Sequence, residues 1–388
     1  MGNQKQVQKV ISIGGDSGLG SRQRAWVEID LSAIKHNIRE LKSILSSQTA
    51  LMAVVKADAY GHGAVTIAKT VIEAGANWLG VATVPEGIEL RSSGIKAPIL
   101  ILGATYTVEQ IEAIAHWHLQ PTLGSVEAAK LYSQTLKDEL PVHIKLDTGM
   151  SRLGASWQQA VEFVQLVHNL PNLQIASVYS HLATAESMDR TMMRQQQQRF
   201  EWAISQLADI NIPLPCLHLS NSAATLTEIG LHYDLVRVGL AVYGLYPAPH
   251  LQAAVNLKPV LQVKARVTQV KTIAPQTGVS YGYKFISDRV TLLAVVGIGY
   301  ADGVPRNLSN QMMVIIRGKK IPQIGAITMD QLMLDVSAIP DLQPGEIVTI
   351  LGIDGKEQIS ADDWAKQLNT ISWEILCSFK HRLPRIAI

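Results

Sequence analysis

The 388-residue sequence predicts an α/β protein: a (β/α)8 TIM-type barrel followed by a mostly β carboxyl-terminal domain. Three observations predict it. Between Leu51 and about Gly239, short β-branched runs alternate with stretches carrying apolar residues at helical spacing, as in Val108, Ile111, Ile114 and Ala115. Those runs number eight, the count of a closed barrel. No glycine-rich nucleotide loop follows the first run, which disfavours an open doubly wound sheet with the same local pattern.

In chain order, residues 1–23 read as a flexible leader rich in Gly, Gln and Ser. Its Gly15-Asp16-Ser17-Gly18 string occurs by chance, with no protease context behind it, and no helical pattern opens after Gly20. Arg24–Leu31 reads as a strand that could join the carboxyl-terminal domain, and Ser32 opens a helix. The eight barrel strands follow: Leu51–Lys56, Trp78–Thr83, Ile99–Gly103, Leu119–Leu123, Val142–Asp147, Gln174–Ser180, Cys216–Ser220 and Leu235–Val238. The texture changes after about Pro249. Lys264–Lys271, Thr291–Tyr300, Met312–Arg317, Gln331–Val336 and Glu346–Leu351 read as strands, punctuated by Gly318, Pro322, Pro340, Pro344 and Gly345. One helix is expected at Ala361–Leu368, with Ser360 as its cap. The implied division is a leader at 1–23, a barrel domain at 24–250 and a β domain at 251–388.

Composition narrows the function. Lys+Arg is 34 and Asp+Glu is 32, a net charge of +2, so no concentrated cationic surface for nucleic acid or an acidic membrane is expected. Cys216 and Cys377 are the only cysteines, which excludes a disulfide scaffold and a cysteine-based zinc cluster. No apolar run is long enough to span a membrane or serve as a secretion signal, so a cytoplasmic location is expected.

Barrels of this kind place their active sites at the carboxyl ends of the strands. The residues there are Lys56, Asp58, Tyr60 and His62 after the first strand, and Lys145, Asp147 and Arg152 around the fifth. His181 ends the sixth, His218, Asn221 and Ser222 surround the seventh, and Arg237 and Gly239 end the eighth. Any one of these could be a strand-end ion pair. Together they make a cationic rim with few carboxylates, suited to a small anion and not to a metal; a zinc site from His181 and His218 is disfavoured. Ser222 and Gly239 offer a hydroxyl and a backbone N–H to a phosphate. A lysine at the end of an apolar strand beside such a site is a Schiff-base candidate, because burial depresses its pKa from about 10.4. That pairing points to pyridoxal phosphate.

At this point the chain resembles the alanine racemases, a family of fold-type III pyridoxal-phosphate enzymes, from Trp26 to its end. The resemblance is carried by Val55-Lys56-Ala57-Asp58-Ala59-Tyr60-Gly61-His62-Gly63 and by Lys145-Leu146-Asp147-Thr148-Gly149-Met150-Ser151-Arg152-Leu153-Gly154. Arg237–Gly244, Val279–Gly282, Gly299–Gly303 and Met329-Asp330-Gln331 match in the same order. The resemblance implies a homodimer that interconverts L- and D-alanine by a two-base mechanism, supplying D-alanine for peptidoglycan. It implies that Lys56 holds the cofactor and acts on one face of the substrate Cα, while Tyr281 from the partner chain acts on the other. Arg152 and the partner's Met329 would bind the substrate carboxylate. Tyr60, Ser222, Gly239 and Leu240 would hold the phosphate, and Arg237, supported by His181 and His218, would face the pyridine nitrogen. Lys145 matches a lysine that is carbamylated in some members, where the carbamate would orient Arg152.

One departure stands out. Trp373, in Ile371-Ser372-Trp373-Glu374, occupies the place of a tyrosine that in the family reaches the phosphate and narrows the entrance. An indole N–H can donate but cannot reproduce the phenol geometry. Two further readings compete: a non-catalytic pyridoxal-phosphate carrier, which resembles only the barrel, and a racemase of serine or another small amino acid. A basic amino acid decarboxylase is disfavoured by the missing glycine-rich phosphate loop, and a cofactor-free binding barrel by the lysine signature.

Overall fold

A computed structural model describes residues 24–209, 212, 216–379 and 381–388. The predicted leader lies outside the described residues. Eight parallel strands, each close to its predicted place, form the barrel: Ala50–Val54, Trp78–Val81, Ile99–Ile101, Gln120–Leu123, Leu140–Asp147, Leu173–Tyr179, Leu217–His218 and Leu235–Val238. The first seven pair in order, and the eighth pairs with the first in the register Leu235↔Ala50 through Val238↔Ala53. The seam between the seventh and eighth is narrow. It is joined by the Asp234 N–H to the Leu217 carbonyl (3.0 Å) and the Arg237 N–H to the Ser220 carbonyl (3.0 Å). Short strands can close this ring because apolar side chains cover its outer face under the helices, where Leu51, Ala53, Leu79, Ile99, Ile101, Leu123, Val142 and Val236 are all fully buried, while Met52, Leu100 and Leu235 pack inside.

The helices outside start where the sequence supplies caps. Thr83 and Glu86 form a reciprocal capping box for Val84–Ser92, and Thr107, Ser125 and Asn221 accept from the first turns of the helices that follow them. Two boundaries differ from expectation. The first helix is Leu31–Ser43, capped by the Asp30 carboxylate at the Ala33 N–H, so Ser32 lies inside it. The first barrel strand stops at Val54, and Lys56 opens a separate turn.

The second sheet is built on one long strand, Leu261–Ile273. The early strand Ala25–Ile29 lies antiparallel to it, Ala25↔Ala265 through Ile29↔Leu261, and parallel to the final strand, Arg385–Ala387. The chain's first and last described strands therefore sit side by side. The expected helix Ala361–Leu368 is present, with Ser360 and Asp363 in a capping box. Strands Lys319–Ile324 and Glu357–Ile359, which the sequence did not announce, extend the sheet.

Candidate active site

The chemistry begins in a backbone turn of the wrong hand. Ala57, Asp58, Ala59 and Tyr60 have φ between 52 and 54°, a left-handed helical turn made without glycine. Each such residue costs about 1–2 kcal/mol against the right-handed form. Tertiary contacts hold it. The Glu86 carboxylate accepts from the Ala57 N–H (2.7 Å) and also from those of Ala82 and Thr83. The Asp58 carboxylate accepts from the Ala64 N–H (2.7 Å). His62 Nδ1–H is shared between the Ala59 and Tyr60 carbonyls (2.9 and 3.0 Å), and Arg385 donates to the Gly61 carbonyl (3.0 Å). Gly61 itself is at φ +82, and a Cβ there would lie 2.5 Å from the Leu376 carbonyl oxygen. Asp58 and His62, expected at the rim, are thus part of the clamp: His62 is buried against the Tyr243 ring (4.5 Å). The product of this strain is the placement of Lys56 and Tyr60 at the mouth of the barrel.

That mouth is a cavity of ≈ 740 Å³, and it gathers ten of the predicted residues: Lys56, Tyr60, Lys145, Arg152, His181, Ser222, Arg237, Gly239, Leu240 and Trp373. The Tyr60 hydroxyl packs so closely on Gly239 that a Cβ at 239 would lie 2.5 Å from it. The Gly239 N–H donates to the Ser222 hydroxyl (3.0 Å), so the Tyr60 and Ser222 hydroxyls and the Gly239 amide form one small polar patch in the cavity wall.

Arg237 is buried and fixed. It donates to the Ser180 and Leu219 carbonyls (2.7 and 3.0 Å) and to His218 Nδ1 (2.8 Å), and lies 3.4 Å from His181 Nδ1. Its guanidinium and the Lys145 ammonium both sit near the Tyr179 ring, at 5.1 and 4.9 Å from its centroid. Burial pushes the Arg237 pKa down to about 10, which still leaves it charged at neutral pH. Burial, with Arg237 and Arg152 nearby, pushes Lys145 down to about 7. Lys56 is also lowered, first by burial and then by Arg152, while Glu86 opposes the shift. His181 and His218 are driven well below the usual imidazole range by burial and by Arg237. His218 supports Arg237 from behind the cavity wall.

Among the described lining residues, Glu186 is the only carboxylate facing these cations. An electropositive cavity with a hydroxyl–amide patch at one end and a lysine of depressed pKa fits a phosphate-bearing carbonyl compound. Among the described residues no three His, Cys, Asp or Glu side chains gather as a metal-holding group.

Two predicted residues lie elsewhere. Tyr281 is 73% exposed and borders a separate hollow of ≈ 750 Å³ on the second sheet, lined also by Lys271, Ser280, Thr328 and Gln331. It projects from a turn with Ser280 at φ 65 and Gly282 at φ 69, pinned by the Ser280 hydroxyl on the Ala326 carbonyl (2.7 Å). Met329 is 52% exposed. Neither lines the Lys56 cavity of its own chain. Sequence reasoning also missed Tyr179 and Glu86. A signal for Tyr179 exists: His143-x-Lys145 and Ser177-x-Tyr179 place polar residues at period two on adjacent barrel strands, paired His143↔Ser177 and Lys145↔Tyr179. Glu86 had none beyond its capping box.

An eight-stranded barrel with a cation-lined mouth, followed by a second, mostly β domain, has the architecture of a barrel enzyme whose site lies at the carboxyl ends of the strands. The comparisons agree. The sequence pattern described as "Alanine racemase, N-terminal domain" matches residues 29–247, and "Alanine racemase, C-terminal domain" matches 260–387. The chain is 68% identical to an alanine racemase of a Nostoc species over 94% of its own length and 96% of that protein's. It is 61% identical to one of a Synechocystis species, over 95% and 100%. The alanine racemase of Bacillus anthracis, solved with bound L-Ala-P, superposes with a TM-score of 0.89 at 34% identity, covering 94% and 95%. That of Bartonella henselae, solved with covalently bound pyridoxal phosphate, gives 0.84 at 32%, covering 94% and 100%. The chain belongs to the alanine racemase family.

Proposed function

We propose that this chain interconverts L- and D-alanine with pyridoxal phosphate at the barrel mouth, working as a homodimer whose sites are shared between subunits. The observation that carries this reading is the single cavity in which Lys56 meets Arg152, Arg237 and the Tyr60–Ser222–Gly239 patch. When bound, the cofactor withdraws electrons from the Cα of an attached amino acid and so acidifies its C–H bond.

The chain's residues would then divide the work. Tyr60, Ser222, Gly239 and Leu240 hold the phosphate, with Trp373 beside them. Arg237 would donate to the ring nitrogen and, because it stays protonated, would favour a ring nitrogen that carries no proton. Its carbonyl and His218 contacts, with His181 alongside, keep the guanidinium from turning away. Arg152 pairs with the substrate carboxylate; Lys145 lines the same cavity, and a carbamate on it would supply the anion that orients Arg152. Lys56 Nζ anchors the cofactor and exchanges a proton at one face of Cα; its depressed pKa leaves more free amine near neutrality. Tyr281 of the partner subunit exchanges a proton at the other face, with Met329 of the partner subunit at the carboxylate. Two bases on opposite faces invert the centre without moving the substrate. Support for the shared site comes from Tyr281 and Met329, both exposed and both outside their own chain's cavity.

We further read residues 24–250 and 251–388 as the two functional units, the enzyme as cytoplasmic, and its product as feeding cell-wall synthesis. Among the described residues no helix is long and apolar enough to cross a membrane. The test is polarimetry in deuterated water with added cofactor. L-alanine should racemise, with label entering Cα, and Lys56→Ala should abolish both events. Racemisation unchanged in Lys56→Ala, or none in the cofactor-loaded protein, contradicts the reading.

A further inference from the structure

Behind Arg237 a line of buried polar side chains crosses the barrel interior. Arg237 Nη1 lies 2.8 Å from His218 Nδ1, and His218 Nε2 lies 2.8 Å from the Ser177 hydroxyl. That hydroxyl is 2.5 Å from His143 Nδ1, and His143 Nε2 is 2.7 Å from the Gln120 side-chain oxygen. Arg237, His218, Ser177 and His143 are all buried, and Gln120 is half-buried at the start of its strand.

The direction of every bond follows from the first. A guanidinium only donates, so His218 Nδ1 must accept. A neutral imidazole with Nδ1 accepting carries its proton on Nε2 and donates it to Ser177. The Ser177 hydroxyl is then free to donate onward to His143 Nδ1, and His143 donates from Nε2 to the amide oxygen. Each donor finds an acceptor, and no second arrangement satisfies all five groups. The Tyr179 ring, stacked on His218 at 4.6 Å and 5°, fixes the imidazole plane. Burial drives both imidazoles toward the neutral form this order requires.

We propose that Ser177, His143 and Gln120 are positioning residues for the reaction: their one-directional hydrogen-bond chain locks His218 in its Nε2–H tautomer and so holds Arg237 against the cofactor ring. Without the chain, the buried His218 Nε2–H loses its acceptor, so the tautomer that accepts from Arg237 carries an unpaired donor and loses much of its advantage over the other. This rests on the reading of Arg237 as the partner of the ring nitrogen.

The experiment is nitrogen NMR of the histidine-labelled holoenzyme near neutral pH, alongside kinetics and the cofactor's absorbance spectrum. The wild type should show His218 and His143 neutral and protonated at Nε2. Ser177→Ala should mix the tautomers of both, shift the cofactor band and lower kcat about five- to tenfold with KM little changed; Ser177→Thr, which restores a hydroxyl, should recover all three. Should Ser177→Ala fail to fold, Gln120→Leu breaks the far link and should mix the His143 tautomers. His218 protonated at Nδ1 in the wild type overturns the inference, as does a folded Ser177→Ala enzyme with wild-type tautomers and kcat. A holoenzyme with the expected tautomers that does not racemise alanine leaves the chain standing and defeats the functional reading alone.

Discussion

The barrel mouth and the Tyr281 face are built in opposite ways. At the mouth, Lys145, Arg237, His218 and Tyr60 are buried, and Arg237, His218 and Ser222 are fixed by partners within the same chain. On the second sheet, Tyr281 and Met329 stand in the open beside a hollow, with only their backbone turns fixed. On the proposed reading the first region would bind and orient the ligand, and the second would present a residue to a partner chain, so that a closed two-fold dimer would bring the two halves of a site together.

The sharpest way to break this comparison is Tyr281→Phe. The account expects kcat to fall roughly 10²–10⁴-fold, with cofactor binding and its absorbance unchanged, because the mouth is untouched. A loss of cofactor instead would mean that Tyr281 belongs to the binding half. A smaller effect is expected from two histidines buried outside the mouth, His62 in the left-handed turn and His143 in the barrel interior. Burial lowers His62 to about 4 and His143 to about 3 in the folded chain, against an unfolded value near 6.5. Between those values the unfolded chain binds more protons, so stability is complete above about pH 6.5 and falls as pH drops. By pH 5 the loss is roughly 2 kcal/mol for each such imidazole. Thermal melts of wild type and a His143→Gln variant should converge on acidification; parallel curves would mean that His143 does not stay neutral. The smallest effect concerns Trp373. Trp373→Tyr should improve cofactor retention on dialysis about threefold, since a phenol donates with better reach. Identical retention and identical substrate range would make the indole a neutral exchange.

Much of this was legible beforehand, for identifiable reasons. The barrel strands show as β-branched runs because a parallel strand is buried on both faces. Ser360 announced its helix as an N-cap, and Asp363 completes a capping box with it. The rim cations Lys56, Lys145, Arg152 and Arg237 were visible as charges at strand ends. The left-handed turn at Ala57–Tyr60 was not, because alanine and aspartate prefer the right-handed form and contacts of Glu86, Asp58, His62 and Arg385 enforce the other. Lys319–Ile324 was hidden by Pro322, which sits opposite Met313 at the end of its ladder. Arg385–Ala387 is too short to show a pattern, and its partner lies near the other end of the chain. Ser177 and His143 read as ordinary strand residues until their neighbours across the barrel were known.

The central claim is that a working site needs both halves from different chains. Mixing Lys56→Ala with Tyr281→Phe after mild dissociation tests it most directly. Each variant alone should be nearly inactive. A hybrid dimer carries both lesions at one site and none at the other, so random reassociation should restore about a quarter of wild-type activity. A mixture no more active than its components would contradict the account.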